Sequence, residues 1–422
     1  MLRTISHAFS VPEIRRKIAF TAAMLLLYRL GSYVPAPGVN IEAVQQLEQS
    51  FQGSDILGFL NLFSGGSLSR LSLFALGIMP YITASIILQL LTVVIPSLEK
   101  LQKEGEVGQQ KITQYTRYLT VGLAFGQSLG YVFLFQSQST GGAEVVTNLT
   151  GPKVFLIVIS LTAGTTLLMW LGELITQRGI GNGISLMIFA SIVSGLPGGV
   201  SMWWTNSDPV FVVMMPFVAL AVIVAIVFVQ EGQRRIPVQY AKRVVGRRMT
   251  SGGSTYLPLR VNMAGVIPVI FAASIMAFPP TVGQLINTQL ALDFAAFFSP
   301  NGWAYIAGEV FFIIIFTYFY TAVTFNPVDQ ADNLKKHGGF IPGVRPGRPT
   351  AEYLDRILSR LTFPGALYLG AVAALPTILF NQTSANFYFG GTSILIVVGV
   401  ALDTVKQLEA QLMMRNYEGF LR

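Results

Sequence analysis

The sequence contains no cysteine and few ionisable residues. Without cysteine there is no disulfide, no thiol nucleophile and no cysteine metal ligand. The two histidines, His7 and His337, lie far apart in polar stretches, so we predict no metal site and no cofactor. Charged residues make up 11% of the chain, whereas a soluble domain has roughly 25%. With 52% hydrophobic residues, this composition indicates a protein whose solvent is the lipid bilayer.

The sequence also lacks a nucleotide-binding motif and an obvious acid–base pair. No Gly-Lys dipeptide occurs, which excludes a Walker A loop. The glycine-rich stretch 179–183 lies between two apolar runs and not after a strand, so we interpret it as a tight turn between membrane helices. We therefore predict that the chain is not an enzyme. The energy for any transport must come from a partner or a gradient.

Ten apolar runs are candidates for membrane-spanning helices. They cover residues 18–34, 76–95, 118–135, 154–175, 184–196, 210–229, 263–282, 310–325, 361–380 and 393–408. The fifth run is short, and we expect Gly195 and Pro197 to end it. Pro268 and Pro364 lie in the seventh and ninth runs, where a helix bundle can accommodate them.

The basic residues are divided very unequally by this topology. If the N-terminus is cytosolic, all but three of the 28 Lys and Arg residues lie on the cytosolic side, as the positive-inside rule requires. The exceptions are Arg29, Arg70 and Lys153. If one predicted span were wrong, many basic residues would fall on the outer side. The unequal division therefore supports ten spans with both termini in the cytosol.

Two predicted cytosolic loops are long, about residues 231–262 and 326–360. In the first loop, residues 238–249 and 255–261 flank a Ser-Gly-Gly-Ser stretch at 251–254. This pattern is typical of two extended arms around a turn. The many basic residues suggest a finger that binds a partner. The alternative explanation is that the positive-inside rule alone accounts for the basic residues in this loop.

A long segment does not fit a simple span. From residue 56 to residue 95 only Arg70 interrupts the uncharged sequence, and a helix of about forty residues would be about 60 Å long, twice the bilayer core. We predict a re-entrant segment over about 56–73, weakened at 64–67 by Ser-Gly-Gly-Ser, with the true span starting near Leu76. Such backbone needs burial in protein or a cavity. An amphipathic helix on the outer surface is the alternative.

The membrane runs hold few ionisable residues. Arg29, Glu309 and Asp403 lie toward the ends of their runs, whereas coupled transporters place such residues near the bilayer midplane. This favours a passive conduit closed by apolar packing. A secondary transporter of small solutes and a non-conducting insertase or scaffold are the competing hypotheses.

A series of motifs from the second run to the tail resembles the SecY/Sec61-alpha family, whose SecY members form the channel of the bacterial Sec protein translocase. The motifs lie at residues 76–87, 103–106, 114–118, 179–185, 232–235, 240–243, 246–248, 257–268, 326–327, 341–347 and 390–393. The stretch 108–111 is less basic than in many relatives, which leaves the role of this loop open.

The resemblance implies an all-α polytopic membrane protein. Its ten transmembrane helices would form two pseudo-symmetric, inverted five-helix halves, 1–205 and 206–422, around an hourglass pore with a re-entrant plug. The implied function is passive: unfolded preproteins cross the membrane, and signal or transmembrane segments leave sideways through a lateral gate. SecA or the ribosome would drive this transport.

The resemblance also implies site residues. The pore ring would be Ile78, Ile82, Ile188, Ile270, Ile275 and Ile396, and the plug would include Phe59, Leu60, Leu62, Phe63, Ser64, Gly65, Gly66, Leu68 and Arg70. Gln89 and Asn262 would lie at the lateral gate, and Lys242, Arg243, Arg247, Arg248 and Arg345 would dock SecA or the ribosome. Val222 in the sixth run is expected to face lipid.

The implied partners are the SecE and SecG subunits, the SecA ATPase and the ribosome, through ribosomal RNA and protein at its exit tunnel. Preprotein signal sequences and membrane lipids would also contact the chain, with YidC and SecD/SecF as accessory proteins. The implied location is the bacterial inner (plasma) membrane.

Overall fold

The computed structural model of the chain is mainly helical. It describes residues 11–40, 61–137, 150–204, 209–240, 254–276, 302–383 and 391–420, two short strands between 243 and 250, and a few isolated residues. The helices are α1 (Pro12–Gly31), α2 (Met79–Val94), α3 (Pro96–Lys103), α4 (Glu106–Ser137), α5 (Gly151–Arg178), α6 (Gly183–Trp204), α7 (Pro209–Glu231), α8 (Ile267–Met276), α9 (Trp303–Thr324), α10 (Pro327–Lys336), α11 (Arg348–Thr383) and α12 (Gly391–Phe420). Each of the ten apolar runs overlaps one of these helices.

Several helices are able to cross a membrane. Among the described residues, α5, α6, α7, α9 with α10, and α11 are long and apolar enough, and α2 with α3 would add a sixth despite a bend of 100° between them. The described part of α8 has only 10 residues. The chain is therefore a multi-pass helical membrane protein, and the count of ten spans stays a prediction.

The fifth apolar run does not end at Gly195 and Pro197, so this prediction is wrong. Helix α6 continues through Pro197 to Trp204. A proline removes one backbone hydrogen bond, and neighbouring helices in a membrane bundle allow that loss. Helix α7 likewise contains Pro216.

The glycine-rich stretch between α5 and α6 is the tight interhelical turn that the sequence predicts. Gly181 has φ +86°, and the Asn182 side chain accepts from the Ile184 amide at 3.1 Å. A Cβ on Gly183 would lie 1.9 Å from the Gly172 carbonyl oxygen. The glycines allow α5 and α6 to meet closely, and nothing about the turn requires a phosphate.

The helices pack in two groups. In the N-terminal group, α4 packs against α2 and α5, while α1 and α6 pack against α5 and against each other. In the C-terminal group, α9 packs against α8 and α11, and α12 contacts α7, α8 and α11. The main helix contacts between the groups are α2 with α8 and α6 with α12.

The two long loops share one small β-sheet. Strand β1 (Gln233–Tyr240) lies between β4 (Ser254–Arg260) and β5 (Gly339–Phe340), and both pairings are antiparallel. Ile236, Val238 and Leu259 are buried against residues of α11, including Leu354. The described parts of the two predicted loops therefore form one structured unit, which packs against α11.

The inner part of the predicted finger differs from the expected pair of extended arms. The second extended arm is confirmed as β4, but the first arm is not one strand. β1 pairs with β4 only as far as Gln239 and Ser254, and β2 (Arg243–Val245) then pairs with β3 (Arg248–Thr250).

Candidate functional site

The six predicted ring isoleucines converge on one apolar cluster, which we call the central cluster. Ile78, Ile82, Ile188, Ile270 and Ile396 are at most 4% exposed, and half-buried Ile275 packs against them. They come from the start of α2 and from α6, α8 and α12. The branched aliphatic side chains of these isoleucines carry no polar atom, so they offer an ion no ligand.

Local backbone geometry places Ile78 and Ile82. Gly77 has φ +59°, which reverses the chain just before α2, and Pro80 follows in the first helical turn, where its missing N–H costs nothing. The Ile82 amide donates to the Ile78 carbonyl at 3.2 Å. The two side chains therefore share one helix face.

Helix α8 is positioned in a similar way. Gly265 has φ +62° and precedes the helix, and Pro268 lies in its first turn. Pro268 thus helps to start the helix and does not kink it. Ser274 donates to the Ile270 carbonyl at 2.8 Å and lies 3.8 Å from the Met79 sulfur of α2. Sequence reasoning missed this contact, because nothing in the spacing of Met79 and Ser274 relates the two residues.

The described part of the re-entrant segment, residues 61–73, consists mainly of turns and is largely buried. Leu68, Leu71 and Ser67 are at most 3% exposed, and the Leu73 amide donates to the Val34 carbonyl at 2.8 Å. A helix on the outer surface would expose one face, so that alternative does not fit. The expected plug residues Phe59 and Leu60 lie outside the described residues.

Phe63 of this segment belongs to the central cluster, and Leu62 packs against it. Asn61 organises the turn, since its side chain accepts from the Ser69 amide at 3.0 Å and its carbonyl accepts from the Gly66 amide at 2.9 Å. The segment therefore lies against the same isoleucines that the resemblance assigns to a pore ring.

The two predicted gate residues lie on helices from different groups. Gln89 is on α2, and Asn262 precedes α8 and is 4% exposed. The Asn262 amide donates to the Gly265 carbonyl at 2.9 Å. The Gln89 Oε1 and Asn262 Oδ1 atoms are buried without a hydrogen-bond partner among the described residues. An unpaired buried polar group costs about 1–3 kcal/mol.

The predicted docking residues are only partly described. Lys242 and Arg247 lie outside the described residues, and only the backbone pairing of Arg243 and Arg248 is given. Arg345 is exposed on a loop that turns at Gly343 (φ +83°) and Gly347 (φ +101°). Among the described residues Arg345 makes no ion pair with Asp329 or Asp332. Its guanidinium group is thus available to a partner.

The ionisable residues near the membrane ends lie outside the central cluster. Arg29 donates to the Gly65 carbonyl at 2.7 Å, Glu309 is 2% exposed on α9, and Asp403 lies near Gly265. In the part of the chain that is described, no three His, Cys, Asp or Glu side chains form a possible metal site.

The expectation that Val222 faces lipid is wrong, because Val222 is 7% exposed and belongs to the central cluster. The exposed stripe of α7 runs instead through Val213, Phe217, Leu220, Val224 and Phe228.

Comparison with known proteins gives a consistent result. A family model described as SecY matches residues 72–405. The protein translocase subunit SecY of Streptomyces griseus is 50% identical over 447 residues, which covers 100% of both chains. The protein translocase subunit SecY of Mycobacterium tuberculosis (strain ATCC 25618 / H37Rv) is 50% identical over 446 residues, again with 100% of both chains covered.

The fold is also similar to a solved structure. Sec61 in the canine ribosome-channel complex of the endoplasmic reticulum aligns with a TM-score of 0.62 and 19% identity, over 93% of this chain and 91% of that chain. At this identity the match supports the arrangement of the helices and no individual residue role.

Proposed function

The chain belongs to the SecY family, and on this basis we propose how its parts move polypeptides across the membrane. It is a multi-pass protein of a bacterial membrane and a channel subunit of the protein translocase, not an enzyme. The finer assignments below are proposals that rest on the geometry of the described residues.

The central cluster is the constriction of the conduit. The observation that carries this proposal is that helices from both groups contribute isoleucines to a single apolar cluster. Branched aliphatic side chains can move apart around any substrate side chain, yet they exclude ions when they close. The buried segment 61–73 packs against the cluster through Leu62 and Phe63 and acts as the plug.

The two helix groups are the two halves of the channel, 1–205 and 206–422. Their contact between α2 and α8 is the lateral gate, and the contact between α6 and α12 is the opposite side, where the halves stay joined. The unpaired amide oxygens of Gln89 and Asn262 support this assignment, because a closed interface with unpaired polar atoms is easier to separate. A signal sequence would enter lipid between α2 and α8.

The shared β-sheet and the loop of Arg345 form the cytosolic docking surface. Both termini lie in the cytosol, as the distribution of basic residues predicts. The partners there are SecA and the ribosome, and clustered arginines suit ribosomal RNA phosphates. The ribosome-bound state of canine Sec61, which has a similar fold, supports the second partner. SecE, SecG and the accessory proteins would contact the membrane helices.

Ion leakage tests the constriction. In vesicles that contain the translocase, replacing Ile82 and Ile270 with glycine should raise the ion permeability of the idle channel. The control is Ile357→Gly, which alters a buried isoleucine of α11 that packs with the β-sheet residues Ile236, Val238 and Leu259. Equal permeability in the ring variant and the control would favour a non-conducting scaffold.

A further inference from the structure

The plug is tied to two membrane helices through one tyrosine. The Tyr28 hydroxyl on α1 lies 2.5 Å from the Ser191 hydroxyl on α6 and donates to the Ser64 carbonyl at 3.3 Å. Tyr28, Ser191 and Ser64 are each at most 3% exposed. The Ser191 hydroxyl also donates to the Met187 carbonyl at 2.9 Å, so the single Tyr28 proton is shared between the Ser191 oxygen and the Ser64 carbonyl. Water cannot easily replace bonds that are buried to this degree.

Arg29, which follows Tyr28 on α1, contacts Gly65, which follows Ser64 in the plug. Arg29 donates to the Gly65 carbonyl at 2.7 Å and to the Tyr33 hydroxyl at 3.0 Å. Its guanidinium carbon lies 4.9 Å from the centre of the Tyr33 ring, and that of Arg70 lies 4.5 Å from the same ring. Consecutive side chains of α1 therefore hold consecutive carbonyl groups of the plug.

Glycine makes this approach possible. Gly65 and Gly66 have φ +66° and +82°, a backbone region that other residues rarely adopt. A Cβ on Gly65 would lie 2.9 Å from the Tyr28 hydroxyl and 3.3 Å from the Ser191 Cα. The Ser-Gly-Gly-Ser stretch thus presents the Ser64 and Gly65 carbonyl groups directly to α1 and lies close to α6.

We propose that Tyr28, Arg29 and Ser191 form a latch that holds the plug in the closed pore and that releases in a step separate from gate opening. The inference rests on the proposed role of residues 61–73 as the plug. Tyr28 and Arg29 lie on α1 and Ser191 lies on α6, all in the N-terminal half, whereas the gate separates α2 from α8. Moving the halves apart leaves these three contacts intact, so the plug needs its own release.

Tyr28→Phe removes the latch hydroxyl and keeps the ring, which stacks on Phe74 with centroids 6.0 Å apart. The Ser64 carbonyl then loses its donor. A typical hydrogen bond changes an equilibrium by about fivefold, and more when a buried partner is left unpaired. The idle channel should therefore open about fivefold or more often.

The test uses the full chain in its native translocase complex, reconstituted in vesicles. Idle ion conductance is measured for Tyr28→Phe, Ser191→Ala and the double variant. The control is Tyr368→Phe, which removes a buried hydroxyl without a hydrogen-bond partner among the described residues. A fluorescent pair at positions 89 and 262 reports the width of the gate.

The latch predicts that each single variant conducts more ions than the unchanged channel, and that the double variant conducts no more than the leakier single variant. The fluorescence signal of the gate should stay unchanged in all three variants, and Tyr368→Phe should have no effect on conductance. Unchanged conductance in Tyr28→Phe overturns the latch. A rise that the gate signal follows in parallel also overturns it, because that result indicates general loosening. If the ring isoleucines contact a translocating chain while Tyr28→Phe has no effect, the latch alone fails. If they do not contact it, the proposed conduit fails.

Discussion

The Ser274 hydroxyl on α8 lies 3.8 Å from the Met79 sulfur on α2. This contact joins the two halves at the proposed gate, so a covalent link there should hold the gate closed. The natural chain has no cysteine, which lets introduced pairs be linked without interference. With Met79→Cys and Ser274→Cys joined by a short thiol crosslinker, we expect translocation of a secretory protein to fall to background and to recover when a cleavable linker is cut.

The matched control links two helices of the same half. Ser128 on α4 and Thr162 on α5 have hydroxyl oxygens 3.4 Å apart, and a crosslink between cysteines at these positions should leave translocation unchanged. Full translocation through a channel that is linked between 79 and 274 would show that these helices do not separate.

Gly164 of α5 is a second sensitive position. A Cβ on this residue would lie 1.9 Å from the Leu73 carbonyl oxygen, so Gly164→Ala must push the plug backbone at Leu73 away from α5. We expect a loss of about 1–3 kcal/mol in stability, typical of overpacking, together with a raised idle ion conductance. Thermal unfolding and conductance measure the two effects.

Gly122→Ala is the control for that experiment. Nothing lies within 4 Å of a Cβ at Gly122 on α4, and a glycine-to-alanine change inside a helix stabilises by about 0.5–1 kcal/mol. Equal behaviour of the two variants would mean that α5 does not support the plug.

Arg345 tests the cytosolic docking surface. Its carbonyl accepts from the Thr350 hydroxyl at 2.8 Å, so Arg345→Glu changes the exposed charge and leaves this loop contact in place. We expect the affinity for SecA to fall by about tenfold, which corresponds to about 1.4 kcal/mol. Binding is measured on translocase vesicles at several salt concentrations. Arg356→Glu makes the same charge change at an exposed site of α11 and should weaken binding less; a comparable loss would show a general charge effect.

The sequence predicted most of the helical architecture because long apolar runs in a membrane leave few other structures. Length and charge alone also indicated that residues 56–73 are not part of a simple span, and the described residues 61–73 are indeed folded mainly into buried turns. It was wrong where a local rule gave way to tertiary packing, as at Pro197, which lies inside α6. It was wrong at Val222 because a uniformly apolar helix does not reveal which face is buried.

Individual contacts of the site were harder to predict. The six isoleucines were named from a family resemblance, and only the structure brings them together in one cluster. The contacts of Tyr28 with Ser191 and of Met79 with Ser274 join residues that are distant in sequence. Their formation depends on helix packing, and no spacing or motif encodes it.

The path of the polypeptide through the central cluster is the central claim, and site-specific crosslinking tests it most directly. Single cysteines replace Ile82, Ile188 or Ile270, and a secretory protein is stalled midway through the channel in vesicles. The lipid-facing control is Val224→Cys, since Val224 is 60% exposed. The account predicts crosslinks to the stalled chain from all three isoleucine positions and none from position 224. Complete export of the substrate with no crosslink from any of the three positions would contradict it.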